Sequence, residues 1–235
     1  GRMIGRPRTV RDPTKETPME LYFAPLTGSL ATRIALAEFE LDADFIEVDP
    51  FSKDLIDQPG RRFTDVHRLG LVPALRLAEG QILSENVAIL WHLAEKKGAL
   101  PPDPLERAHL LEWLSFTATE LHRRTFGPFF DPTAGPEVRE WAAAKGQSRL
   151  EILAQRLGDR TYAVGERFTI ADAYLTTALH WARATPLELP SAAATYLKRQ
   201  LKRPSVAAAI AIEMPLFLIE RERETTPAAF RVKRA

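Results

Sequence analysis

Hydrophobic and polar positions change period twice along the chain. Met19, Leu21 and Phe23 alternate with Glu20 and Tyr22, the period of two expected of a strand. Pro25 to Gly28 breaks the alternation, and from Ser29 onward Leu30, Ile34, Ala37 and Leu41 recur on one face of a helix. Residues 44–49 read as a second strand, and the polar, irregular stretch 50–69 as a loop with a short helix. Val72 to Leu77 and Gln81 to Ser84 flank Ala78-Glu79-Gly80, a hairpin turn, and a helix over 85–97 stops at Gly98. Beyond Pro101-Pro102-Asp103-Pro104 the periodicity is wholly helical, over 105–126, 136–157, 169–184, 191–202 and 205–219. Pro215 is expected to kink or end the last helix early. Thr169-Ile170-Ala171-Asp172 is a capping box, a folding device without chemistry. The pattern predicts an α/β domain over 19–98 and an all-α domain over 104–219, with a flexible extension at 1–18 and a loose tail at 220–235.

Composition narrows the chemistry. The chain has 235 residues, 45% hydrophobic, enough to bury a core in each half. A net charge of +1 gives no overall field, so neither nucleic acid nor an anionic membrane is the expected partner. No apolar run is long enough to span a bilayer, and the opening residues lack a signal-peptide pattern. With no cysteine, disulfides, thiolate metal sites and a protein thiol nucleophile are excluded, and a cytoplasmic location is expected. No histidine pair has metal-ligand spacing with a carboxylate, so no metal is expected.

Candidate chemistry concentrates in Leu71-Val72-Pro73-Ala74-Leu75 and in Leu83-Ser84-Glu85-Asn86-Val87-Ala88-Ile89-Leu90. A proline heading a strand cannot donate to the ladder and often adopts the cis form in tight turns. Such a bond would leave the backbone N–H and C=O of Val72 free to pair with an extended peptide. The helix opening near Ser84 to Asn86 offers unpaired N–H groups and a positive dipole end to a carboxylate.

These motifs, with Leu21-Tyr22-Phe23-Ala24-Pro25, the run from Leu111 to His122 and the run Gly165-Glu166-Arg167-Phe168-Thr169-Ile170-Ala171-Asp172-Ala173-Tyr174-Leu175, resemble bacterial glutathione transferases of the beta class. The resemblance covers Met19 to about Ile219. It implies a thioredoxin-like first domain followed by the all-helical domain of that family. It also implies glutathione as co-substrate, a small hydrophobic electrophile or a peroxide as second substrate, and a homodimer. The chain departs from the family at several points. Gly28 stands where beta-class enzymes carry a cysteine, His67-Arg68-Leu69-Gly70 replaces an asparagine-proline turn, Asn86 replaces a small residue, and Ser115 an asparagine.

A free thiol has a pKa of about 8.5, so a transferase must stabilise the thiolate, and hydroxyl donors beside a helix N-terminus do so. Ser29 is the first candidate and an ordinary helix cap is its plainer reading; Thr27 is the rival donor. Ser115, Thr119 and His122 lie at i, i+4 and i+7, one stripe beside the apolar Leu110, Leu114, Ala118 and Leu121. Periodicity alone leaves that stripe facing solvent or a cleft. The resemblance implies that His122 lies near the glutathione sulfur with Arg123 beside it, that Lys53 meets the glycine end, and that Trp181 lies near the site. Val72 and Pro73 would hold the peptide backbone, Glu85 the γ-glutamyl ammonium and Asn86 its carboxylate; Tyr22 is a further candidate. Two other classes stay open: a non-catalytic module of the same fold that binds a protein partner, and a carrier of hydrophobic ligands.

Overall fold

The computed structural model describes residues 18–231. Residues 1–17 and 232–235 lie outside them, and with them the expectation of a flexible extension.

Strands β1 (Met19–Phe23), β2 (Ala43–Glu47), β3 (Ala74–Arg76) and β4 (Ile82–Ser84) form one mixed sheet in the order β2-β1-β3-β4. β1 and β2 are parallel, and β1–β3 and β3–β4 antiparallel. The alternation of β1 sets its two faces. Leu21 and Phe23 pack with Ala31 and Ala35 of α1 (Ser29–Glu38) and Ile89, Leu90 and Leu93 of α2 (Asn86–Lys96). Tyr22 points to the opposite face, into a cluster with Val48, Phe63 and Ala74. This is the thioredoxin-like arrangement expected.

The helical half begins with α3 (Pro104–Phe116), capped by the Asp103 carboxylate on Glu106 N–H. The expected single helix over 105–126 does not hold. From Thr117 to Phe126 the chain is π-helical, followed by the short α4 (Gly127–Phe130). An i→i+5 turn takes about one residue more than an α turn, so the stripe at 115, 119 and 122 is broken. Ser115 and Thr119 stay exposed, whereas His122 rotates inward. α5 (Pro136–Leu157), α6 (Ile170–His180, extended by a 3-10 turn at Trp181–Ala184), α7 (Ser191–Gln200) and α8 (Pro204–Glu222) complete the bundle.

The buried Asp172 carboxylate ties α6 to its surroundings. It accepts from the N–H of Thr169 (2.8 Å) and Ala163 (2.8 Å), and from the hydroxyls of Thr169 (2.9 Å) and Tyr196 (2.6 Å). The capping box expected from the sequence therefore also fastens α7 and the loop before α6.

Two expectations at the C-terminus are corrected. Pro215 does not end α8, which runs to Glu222. Pro215 and Ala211 are both exposed, so water can satisfy the carbonyl that loses its amide partner. The tail is not loose as far as Arg231. Arg223 pairs with Glu47, Thr225 Oγ1 donates to Asp49 Oδ2 at 2.7 Å, Thr226 is buried, and Phe230 packs 6.0 Å from the Phe51 ring.

α8 also anchors the loop after β1. The buried Glu213 carboxylate accepts from Leu26 N–H (2.7 Å) and from Arg33 Nε (2.6 Å), while Trp181 Nε1 donates to Leu26 C=O (2.8 Å). Leu26 has φ 56°, the left-handed region unfavourable to a branched side chain, so these long-range bonds are what hold the turn.

Candidate active site

The sheet register gathers the candidate residues at one edge. Tyr22 and Ser84 both lie opposite Ala74. The loop after β1, the Val72–Pro73 bond before β3 and Glu85 after β4 therefore leave the sheet at the same end. Val72–Pro73 is cis, and the N–H and C=O of Val72 have no backbone partner among the described residues.

Glu85 caps α2 with φ 68° and ψ 118°, a conformation costly for a residue with a Cβ. Its side chain is exposed and free to meet a cation, and the first N–H groups of α2 have no intrahelical partner. Asn86 does not serve that edge as expected. It is buried: Nδ2 donates to Gly28 C=O at 2.8 Å and Oδ1 accepts from Thr32 Oγ1 at 3.0 Å. With its amide engaged inward, the Asn86 side chain is not free to contact a ligand at that edge.

The cap of α1 is Gly28, not Ser29. Ser29 is fully buried, its hydroxyl 3.0 Å from Ala24 C=O and 2.9 Å from Thr27 Oγ1. Thr27 is partly exposed, with Oγ1 2.9 Å from the same carbonyl. Two hydroxyl protons serve this triangle. When Ser29 donates to Ala24, the proton of Thr27 is free to turn outward. The expectation of Ser29 as the hydroxyl facing a ligand gives way on burial to Thr27.

His122 fills the space that a side chain at position 28 would need. A Cβ on Gly28 would lie 2.8 Å from His122 Cε1. The imidazole stands edge-on to Trp181 with ring centroids 4.7 Å apart, and its Nδ1 is 2.7 Å from Tyr174 Oη. Burial, helped by the neighbouring Arg123, lowers the His122 pKa from 6.5 to about 4. The ring is therefore neutral at physiological pH. In the unfolded chain it would take up a proton near pH 6.5, so stability falls as pH drops from 6.5 towards about 4.

The other candidates fall as follows. Lys53 and Arg123 are exposed, Lys53 on the loop after β2 and Arg123 on the π segment beside His122. Tyr22 is not a site residue: its ring stacks on Phe63 at 5.3 Å and its hydroxyl meets Glu20 (3.1 Å) and Arg76 (3.3 Å) beneath the sheet. Tyr174, which sequence reasoning missed, carries a signal of its own. It lies in a helix buried on every side, where a phenol hydroxyl must find a partner. Among the described residues no cluster of three or more His, Asp or Glu side chains is placed to hold a metal, and no helix is long and apolar enough to cross a membrane.

Residues 29–96 match the family described as glutathione S-transferase, N-terminal domain, and residues 147–208 the corresponding C-terminal domain. The chain is 36% identical over 201 residues to glutathione S-transferase GstA of Escherichia coli O157:H7, covering 83% of this chain and 98% of GstA. The chain belongs to the glutathione S-transferase family. A glutathione transferase from Methylococcus capsulatus superposes with TM-score 0.78 at 38% identity, over 84% of this chain and 99% of that one. A sphingomonad glutathione S-transferase complexed with glutathione does so with TM-score 0.77 at 34% identity, over 83% and 98%. The resemblance read from the sequence thus stands: this is a glutathione transferase fold, lacking the beta-class cysteine because Gly28 occupies its place.

Proposed function

We propose that this glutathione transferase binds glutathione across the edge formed by Val72 and Glu85, and lowers the thiol pKa with Thr27 and His122. The thiolate then attacks a small hydrophobic electrophile or a peroxide held against the helical domain. The observation that carries this reading is the convergence at one sheet end of an unpaired Val72 backbone, a strained Glu85 and the open N-terminus of α2. The Val72 N–H and C=O pair with the cysteinyl backbone, Glu85 meets the γ-glutamyl ammonium, and the first N–H groups of α2 hold its carboxylate. Lys53 approaches the glycine carboxylate, and Arg123 adds positive potential beside the sulfur. We take the enzyme to be cytoplasmic and a homodimer formed between the α3 region and the first domain of a second copy, a reading supported by the exposed Leu69 and Leu71.

Calorimetric titration tests this. Glutathione is expected to bind at one site per chain, and at a hundred times its Kd to add about 2.7 kcal/mol to folding stability. Glu85→Ala should weaken binding by about tenfold or more, as loss of a hydrogen bond to a charged group, ~1.5–3 kcal/mol, requires. No heat and no melting shift at millimolar glutathione, with the protein folded, would overturn the reading and favour the protein-binding module.

A further inference from the structure

Around His122 the hydrogen-bond directions can be deduced rather than assumed. Gly28 C=O can only accept, so the Asn86 group 2.8 Å from it is the amide nitrogen, and Asn86 Oδ1 takes the Thr32 hydroxyl proton. Asn86 also lies beside the Tyr174 phenol and works against the rise of its pKa. A buried phenol must donate its proton to an acceptor, and the partner within reach is His122 Nδ1, 2.7 Å away. Burial raises the phenol pKa far above its ordinary value, with Asn86 opposing and Glu85 adding to the rise, so Tyr174 remains a donor at all working pH. A nitrogen that accepts from Tyr174 carries no proton, and the imidazole proton is left on Nε2, which has no hydrogen-bond partner among the described residues.

We propose that Tyr174 is a positioning residue: by donating to Nδ1 it locks His122 as the Nε2–H tautomer, leaving this N–H to donate to the glutathione sulfur. Gly28 leaves the room that the ring fills. The charged groups nearest the relay are Arg123, beside His122 on the same segment, and Glu85, facing Tyr174 from the cap of α2; Trp181 covers the imidazole with an apolar face. The ring stays neutral from about pH 5 to 8, so it donates a hydrogen bond throughout without titrating in the cycle.

The proposal rests on glutathione binding for its use, but the tautomer itself is a property of the free protein. Nitrogen-15 NMR of the His122 side chain in the full chain, without glutathione, is expected to show Nε2 protonated and Nδ1 bare, unchanged from about pH 5.5 to 8. A proton on Nδ1, or an imidazolium in that range, would overturn the relay even if glutathione binds. The Nε2–H tautomer in a protein that fails to bind glutathione would instead defeat only the proposed function. In the binding protein, Tyr174→Phe should raise the pKa of bound glutathione by about half to one unit, cutting kcat/KM at pH 7 by ~3–10-fold with recovery at alkaline pH. His122→Gln keeps an N–H near the Nε2 position and has nothing at Nδ1. On that background Tyr174→Phe should shift the thiol titration no further; an equal shift in both backgrounds would make Tyr174 a packing residue and end the proposal. Should Tyr174→Phe fail to fold, the wild-type tautomer remains decisive.

Discussion

Gly28→Ala is expected to lower kcat/KM at pH 7 by about 5–100-fold, as ~1–3 kcal/mol of overpacking expressed at the site would give. The added methyl would meet His122 Cε1 at 2.8 Å, well inside ordinary contact. The backbone is not what forbids it, since Gly28 has φ −56°, which alanine adopts freely. The imidazole must yield instead, and it is held by Tyr174 at 2.7 Å and stacked edge-on to Trp181 at 4.7 Å. Moving it breaks the bond to Tyr174 and displaces the donor proposed for the sulfur. Steady-state kinetics and a melting curve check this. Combining Gly28→Ala with His122→Ala should restore Tm without restoring activity, because the clash is relieved and the donor is still absent. Wild-type kinetics for Gly28→Ala would mean that the ring has room to move and that its position is not critical.

Asp172→Ala is expected to cost ~3–5 kcal/mol of stability and to lower Tm by about 10 °C or more. The carboxylate is fully buried and serves two amides and two hydroxyls. Truncation leaves the N–H groups of Ala163 and Thr169 and the Tyr196 hydroxyl buried with no acceptor, each a desolvation cost of ~1–3 kcal/mol before relaxation. Asp172→Asn keeps one carbonyl oxygen and should lose less. Thermal unfolding checks both variants, and a drop under about 2 °C for Asp172→Ala would show that water replaces the carboxylate. Since α6 carries Tyr174 and leads into Trp181, glutathione affinity should fall along with stability at assay temperature.

The elements were legible where local chemistry decides them. The β1 alternation, the hairpin closed at Gly80 and the 22-residue α5 follow the hydrophobic period and the turn residues. The capping box could be read from four residues because its bonds are local. The proline turn at Val72–Pro73 and the helix start at Glu85 were legible for a similar reason, since a strand proline and a helix cap are short-range signals. What could not be read depends on distant packing. No local feature of Thr117-Ala118-Thr119-Glu120-Leu121 announces a π-helix, and without it His122 shares a face with exposed Ser115 and Thr119. The sequence favours Ser29, which stands at the helix start, over Thr27, whereas the fold buries Ser29 and leaves Thr27 partly exposed. Asn86 looked like a ligand contact because it opens a helix, yet its partners Gly28 and Thr32 lie 58 and 54 residues away. The ordered tail depends likewise on pairs such as Arg223 with Glu47, separated by 176 residues.

In a chain without cysteine, Thr27 and His122 are the groups proposed to activate bound glutathione. The most direct measurement is the thiolate absorbance of bound glutathione followed against pH in the wild type, Thr27→Val and Ser29→Ala. The wild-type thiol pKa is expected at least a unit below the free value of about 8.5, raised by about a unit in Thr27→Val and less in Ser29→Ala. A bound thiol that titrates like free glutathione, or one moved by Ser29→Ala and untouched by Thr27→Val, would contradict it.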